Sequence, residues 1–125
     1  MNFILILLIS INANAVSEKL LNCIVQVESG GVINVISKTG DYGLGQINKK
    51  AWPDIDHDRL LTDRAYSLGQ TRAILSYYRS KLSKDSKDLN WVCSYNIGLT
   101  AYRQNKKRIS CAQYNRKVFK CLNLK

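Results

Sequence analysis

The clearest chemistry in this sequence belongs to one carboxyl group on the apolar side of an expected helix. Leu21, Ile24 and Glu28 are three and four residues apart, a spacing that brings side chains together on one helical face. Leu21 and Ile24 are apolar, so Glu28 closes the core-facing stripe just ahead of the Gly30-Gly31 pair. A carboxyl held against apolar neighbours loses hydration, which disfavours its charged form and raises its pKa. A general acid working near neutral pH requires that property. The alternative is an ordinary solvated Glu at a frayed helix end, and periodicity alone leaves both readings open.

Four cysteines, Cys23, Cys93, Cys111 and Cys121, and one histidine, His57, are the other reactive side chains. No two cysteines lie two to four residues apart and His57 has no near partner, so no metal site is expected. A cysteine nucleophile needs a nearby base, and His57 is the one imidazole available. An even number of cysteines in a short exported chain reads as two disulfides, with three pairings open. A bridge from Cys111 to Cys121 across a single helix is strained, which leans the pairing toward Cys23 and Cys93.

These residues need elements to hold them. Ser17 is a good N-cap for a first helix carrying Leu20, Leu21, Ile24, Val25 and Val27. Gly30-Gly31 stops it. Residues 30–48 are rich in Gly, Ser, Asn and Asp and read as an irregular, turn-rich connection. Thr62 or Asp63 caps a second helix running to about Leu82, with Tyr66, Ala73, Ile74, Tyr77 and Leu82 among its apolar positions. A polar loop from Ser83 to Asp88 follows. A third helix starts near Leu89 and carries Trp91, Val92, Tyr95 and Ile97, and a last one covers roughly Cys111 to Leu122. The fold expected is mainly α, with little or no sheet and no internal repeat.

A chain of 125 residues has room for one domain. Hydrophobic residues at 46% against 22% charged, with a single Pro, place it among folded globular chains. Phe3 to Ile11 is a nine-residue apolar run broken only by Ser10, far short of the ~20 residues that span a membrane. With Ala13-Asn14-Ala15 behind it, the run reads as a secretory signal cleaved after Ala15, leaving residues 16–125 as the domain. No Lys or Arg precedes the run, so a short buried helix or an uncleaved anchor is the alternative. The formal charge is +10, and beyond Asp88 there are eight cations and no acid. Such a field attracts polyanions: nucleic acid, anionic membrane or an anionic cell wall. Export removes nucleic acid from that set. The plainer reading of the basic segment is a solvated face that keeps a small protein soluble.

Three short motifs in order carry a resemblance. Ile24-Val25-Gln26-Val27-Glu28-Ser29-Gly30-Gly31, then Ser37-Lys38-Thr39-Gly40 with Gly43-Leu44-Gly45-Gln46-Ile47-Asn48, then Ser94-Tyr95-Asn96-Ile97-Gly98 resemble the soluble lytic transglycosylases of the lysozyme-like superfamily. Tyr114 with Lys117-Val118 looks like that family's late Tyr. The similarity runs from about Ser17 to Leu122. It implies a small lysozyme-like helical domain that cuts the β-1,4 bond between N-acetylmuramic acid and N-acetylglucosamine and leaves 1,6-anhydro ends. Position by position, Glu28 becomes the acid and base and Tyr95 its hydrogen-bond partner. Gln46, Asn96 and Ser37 become sugar contacts, and Tyr114 closes the cleft. The resemblance implies no metal or organic cofactor. It implies peptidoglycan strands as partner, in the periplasm or outside the cell. The small specialised members accompany envelope-spanning secretion or conjugation complexes, a further partner of that type.

Asp41 departs from the common pattern, where that position is small. Asp41-Tyr42-Gly43-Leu44-Gly45-Gln46-Ile47-Asn48 looks like the segment of animal-type lysozymes that presents a second catalytic carboxylate. The Glu28 to Asp41 interval of thirteen residues is short for the full hairpin of those enzymes. Asp41 is then either a second carboxylate or a turn residue bonded to its own surroundings. A hydrolytic muramidase using Glu28 and Asp41 is the second reading. A silent glycan-binding module or secretion-machine component, and more distantly a cationic membrane-active protein, stand behind it.

Overall fold

Ser17 caps the first helix as its type dictates, its hydroxyl accepting the Leu20 amide at 3.1 Å. The computed structural model describes residues 16–124, and the expected leader, residues 1–15, lies outside them. Helix α1 (Glu18–Ser29) ends at Gly30, whose left-handed backbone (φ 64°) returns its N–H to the Gln26 carbonyl at 3.1 Å. Leu20, Leu21, Cys23, Ile24 and Val25 are buried on it.

The turn-rich connection contains a minimal hairpin. Strands β1 (Asp41–Tyr42) and β2 (Ile47–Asn48) pair antiparallel, with Asp41 opposite Asn48 and Tyr42 opposite Ile47. One isolated bridge joins Ile36 to Tyr42. The tip between the strands fits against the helices because two positions carry no side chain. A Cβ on Gly43, at φ 76°, would lie 2.5 Å from the Leu60 carbonyl oxygen. One on Gly45 would collide with Thr71 and lie 2.6 Å from the Tyr95 hydroxyl.

Helix α2 (His57–Leu60) is a single turn capped by Asp56 that sequence patterning misses, since four residues are too few to show a period. Helix α3 (Arg64–Leu82) is capped by Asp63, which accepts the Tyr66 amide at 3.0 Å. Its buried face runs through Ser67, Thr71, Ile74, Leu75 and Tyr78. Ala73 and Tyr77, expected at apolar positions, are instead exposed. The reason is that two small hydroxyls occupy the buried stripe. Ser67 Oγ accepts the Leu44 amide at 3.1 Å, and Thr71 Oγ1 donates to the Ser67 carbonyl at 2.8 Å. Helix α3 thus backs the polar backbone of the hairpin tip as well as the apolar core.

The expected third helix is broken. A 3-10 turn (Asn90–Cys93) leads into α4 (Ser94–Ile97), Gly98 at φ 90° redirects the chain, and α5 (Leu99–Arg103) follows. Helix α6 (Arg108–Cys121) starts three residues before the expected Cys111. Lys107 precedes it at φ 53° and makes no side-chain cap, so the start carries no capping signal. Leu21, Ile24, Leu44, Leu75, Trp91 and Val118 form the innermost packing, each no more than 1% exposed. The four cysteines pair as Cys23–Cys121, joining α1 to the end of α6, and Cys93–Cys111, joining the 3-10 turn to the start of α6. The domain is mainly α with six α-helices among the described residues. No described helix is long and apolar enough to cross a membrane.

Candidate active site

Glu28 occupies the last turn of α1, with Leu21 and Ile24 beneath it. Its neighbour Ser29 holds the helix end, donating to the Val25 carbonyl at 3.2 Å and accepting the Gly31 amide at 3.2 Å. The carboxyl is half-buried, and the phenol of Tyr114, reaching from α6, donates to its Oε2 at 2.7 Å. Burial pushes the Glu28 pKa up from 4.5 to about 7; the Tyr114 bond and the charge of Lys117 oppose the rise, and the charge of Asp41 adds to it. Desolvation wins because one neutral donor replaces only part of a lost hydration shell. Burial likewise raises the Tyr114 phenol well above its ordinary value, so near neutral pH it is a fixed donor.

Asp41 lines the same cleft from β1. Its Oδ2 accepts the hydroxyls of Ser37 at 2.5 Å and Thr39 at 2.6 Å, and its Oδ1 accepts the Asn48 amide at 3.0 Å. Burial raises its pKa, but these three donors outweigh burial and hold the carboxyl below its usual range. The hairpin register makes the arrangement, since Asp41 sits directly opposite Asn48. One cleft therefore holds two carboxyls driven in opposite directions, a proton donor and a fixed anion.

Gln46 and Asn96 also line this cleft, which has a volume of about 550 Å³. Gln46, at φ 49°, anchors its amide nitrogen to the Gly43 and Val35 carbonyls at 3.0 and 3.2 Å. Asn96 is exposed at the end of α4.

A family model for the transglycosylase SLT domain matches residues 8–117. The chain belongs to that family. No curated protein and no solved structure matches it. Membership makes this SLT domain a lytic-transglycosylase-type protein that binds and acts on peptidoglycan.

Not every expected role falls to the expected residue. The Tyr95 hydroxyl does not bond Glu28 but donates to the Gly45 carbonyl beside Thr71, locking α4 to the hairpin tip. Glu28 takes its partner from Tyr114, which is 6% exposed and acts from beneath the carboxyl. The Ser37 hydroxyl is turned to Asp41, and it also accepts the Asp41 amide at 3.0 Å. Thr39, Asn48, Trp52 and Tyr78 line the SLT cleft and were not picked out from the sequence. Asn48 closes the Gly43 to Asn48 motif, and its place opposite Asp41 comes from the hairpin register. Trp52 and Tyr78 pack edge to face at 6.3 Å between ring centres, a pairing of residues too far apart in sequence to be seen there.

Proposed function

We propose that the protein is an exported lytic transglycosylase cutting the β-1,4 bond between N-acetylmuramic acid and N-acetylglucosamine, with 1,6-anhydro ends as product. The observation that carries this reading is Glu28, a single carboxyl raised to about 7 and held by a buried phenol. At that pKa one group can serve both halves of the reaction. Protonated, it donates to the glycosidic oxygen as the bond breaks. As a carboxylate it then removes the proton from the muramic C6 hydroxyl, whose oxygen closes on the anomeric carbon. Water is not the nucleophile, and no second carboxyl need attack, unlike the paired carboxyls of most glycosidases.

In this reading Asp41 acts at a distance. Three donors commit both its oxygens, which makes it a poor nucleophile and a good fixed charge for an oxocarbenium-like state. Gln46 and Asn96 contact sugar, and Ser37 acts through Asp41. The chemistry calls for no cofactor or metal. The two disulfides suit an oxidising compartment, the periplasm or the exterior, and a leader cleaved after Ala15 is the route there.

A second reading is hydrolysis, with Asp41 as the partner of Glu28. What favours it is Asp41 standing ionised in the same cleft. Mass spectrometry of muropeptides released from purified sacculi decides, with a Glu28→Gln variant as blank. Anhydro ends support the transglycosylase, reducing ends the muramidase, and no release by the wild type sinks both.

A further inference from the structure

Ile97 lines a second concavity as well as the catalytic cleft, so the two adjoin across this one side chain. This groove, about 950 Å³, runs between the 3-10 turn, α5 and α6. Its apolar lining comes from Ile97, Tyr102, Ala112, Phe119 and Leu124, of which Ala112 and Leu124 are exposed. Its rim carries Lys84, Arg103, Lys106, Arg108, Arg116 and Lys120, and no Asp or Glu lines it. Six like charges around one groove repel one another, and an anion placed among them is attracted by all.

The cleft and the groove differ in what they suit. Amides, hydroxyls, the rings of Trp52 and Tyr78, two carboxyls and one cation, Lys107, line the cleft, which suits a sugar chain. The groove suits a ligand with small apolar groups and more than one carboxylate. A peptidoglycan strand carries such a group on each muramic acid: the short stem peptide, with methyl side chains and free carboxylates. We propose that the groove takes the stem peptide of a muramic acid seated in the cleft, making this enzyme selective for peptide-bearing strands. The proposal rests on the peptidoglycan reading above. An anionic bilayer has the right charge, but nothing in it would follow the groove to the cleft that it adjoins across Ile97. An acidic partner protein has the right charge but no reason to sit where the groove opens beside the cleft.

The test compares intact glycan strands with the same strands after an amidase has removed their peptides. Wild-type kcat/KM should be about tenfold higher on peptide-bearing strands, the scale of a few rim charge pairs acting together, and salt should shrink the ratio. Reversing Arg103, Arg116 and Lys120 to Glu, all exposed, should abolish the preference and leave cleavage of stripped strands unchanged. Reversing Lys19, Arg64 and Lys87, exposed and outside the groove, makes the same change in net charge and should keep the preference. Titration calorimetry with a soluble N-acetylmuramoyl tripeptide reads the groove without turnover. The wild type should bind it and the groove variant should not. Equal rates on both strands, or equal losses in the two triple variants, overturn the proposal. So does a groove variant that keeps its strand preference while losing binding to phosphatidylglycerol vesicles or to an acidic protein. If neither strand is cleaved but the muramoyl peptide binds only with an intact groove, the transglycosylase reading has failed and the groove stands.

Discussion

At the scale of single residues, Glu28 is a balance of opposed terms, and each can be removed separately. Replacing it by Gln keeps the shape but removes the proton, so turnover should fall at least ~100-fold while glycan binding persists. Stability should move the other way. The folded carboxyl titrates at about 7 against 4.5 for the free side chain, so within that window the folded state holds its proton longer and wild-type stability falls as pH rises. The Gln variant has no such term. Its melting temperature relative to wild type should rise between about pH 4 and about pH 8 and level off above; a flat difference counts against a desolvated Glu28. Two neighbours should shift the alkaline limb of the kcat/KM profile in opposite directions. Tyr114→Phe removes a bond that lowers the Glu28 pKa, so the limb moves up. Asp41→Asn removes a charge that raises it, so the limb moves down, with about a tenfold loss (~1.4 kcal/mol) if Asp41 is electrostatic support. Near-complete loss with reducing-end products establishes the muramidase instead.

At the scale of elements, the site depends on a short hairpin seated against α3 and α4. The contact is backbone to hydroxyl, through Ser67 on Leu44 and Tyr95 on Gly45. Gly45→Ala places a methyl against Thr71 and the Tyr95 phenol, which overpacks a buried contact at a cost of about 1–3 kcal/mol. The displaced tip carries Gln46 and shifts the strand that holds Asn48. Activity should therefore fall further than the loss of stability explains, read as kcat/KM at a temperature where the variant is fully folded. A variant with wild-type activity and stability would show that this fit is looser than the geometry indicates.

At the scale of the molecule, Glu28 and its donor Tyr114 come from opposite ends of the chain, and the Cys23–Cys121 bridge joins the two helices that carry them. That bridge spans 98 residues, against 18 for Cys93–Cys111. Loop-closure entropy gives the longer one the larger effect, about 5 against about 3 kcal/mol. Paired Ser replacement should lower the melting temperature more at Cys23/Cys121, and should also move the pH profile set by the Glu28–Tyr114 contact. Thiol titration of the denatured, unreduced protein should find no free cysteine, whereas two or more equivalents reject the pairing.

Local rules sufficed wherever the determining contacts are local. Ser17 and Asp63 announce helix starts because a cap bonds the next turn, and Leu21, Ile24 and Glu28 share a face because a helix repeats every 3.6 residues. The Glu-Ser, Gly-Leu-Gly-Gln and Tyr-Asn motifs, met in order, were enough to place the family. Tertiary structure alone decided which phenol bonds Glu28, because Tyr95 and Tyr114 are both reachable residues of helical segments and only packing puts one beneath the carboxyl. The same holds for α3, where the buried stripe includes Ser67 and Thr71. Ser67 is buried because its hydroxyl takes the Leu44 amide from a distant segment, and Thr71 because Gly45 packs directly against it while its own hydroxyl returns to the Ser67 carbonyl. It holds again for Asp41, whose ionised state is set by register across the hairpin and by two hydroxyls folded back onto it. Periodicity reports which way a side chain points, and an oriented hydrogen bond between distant segments leaves no period in the chain.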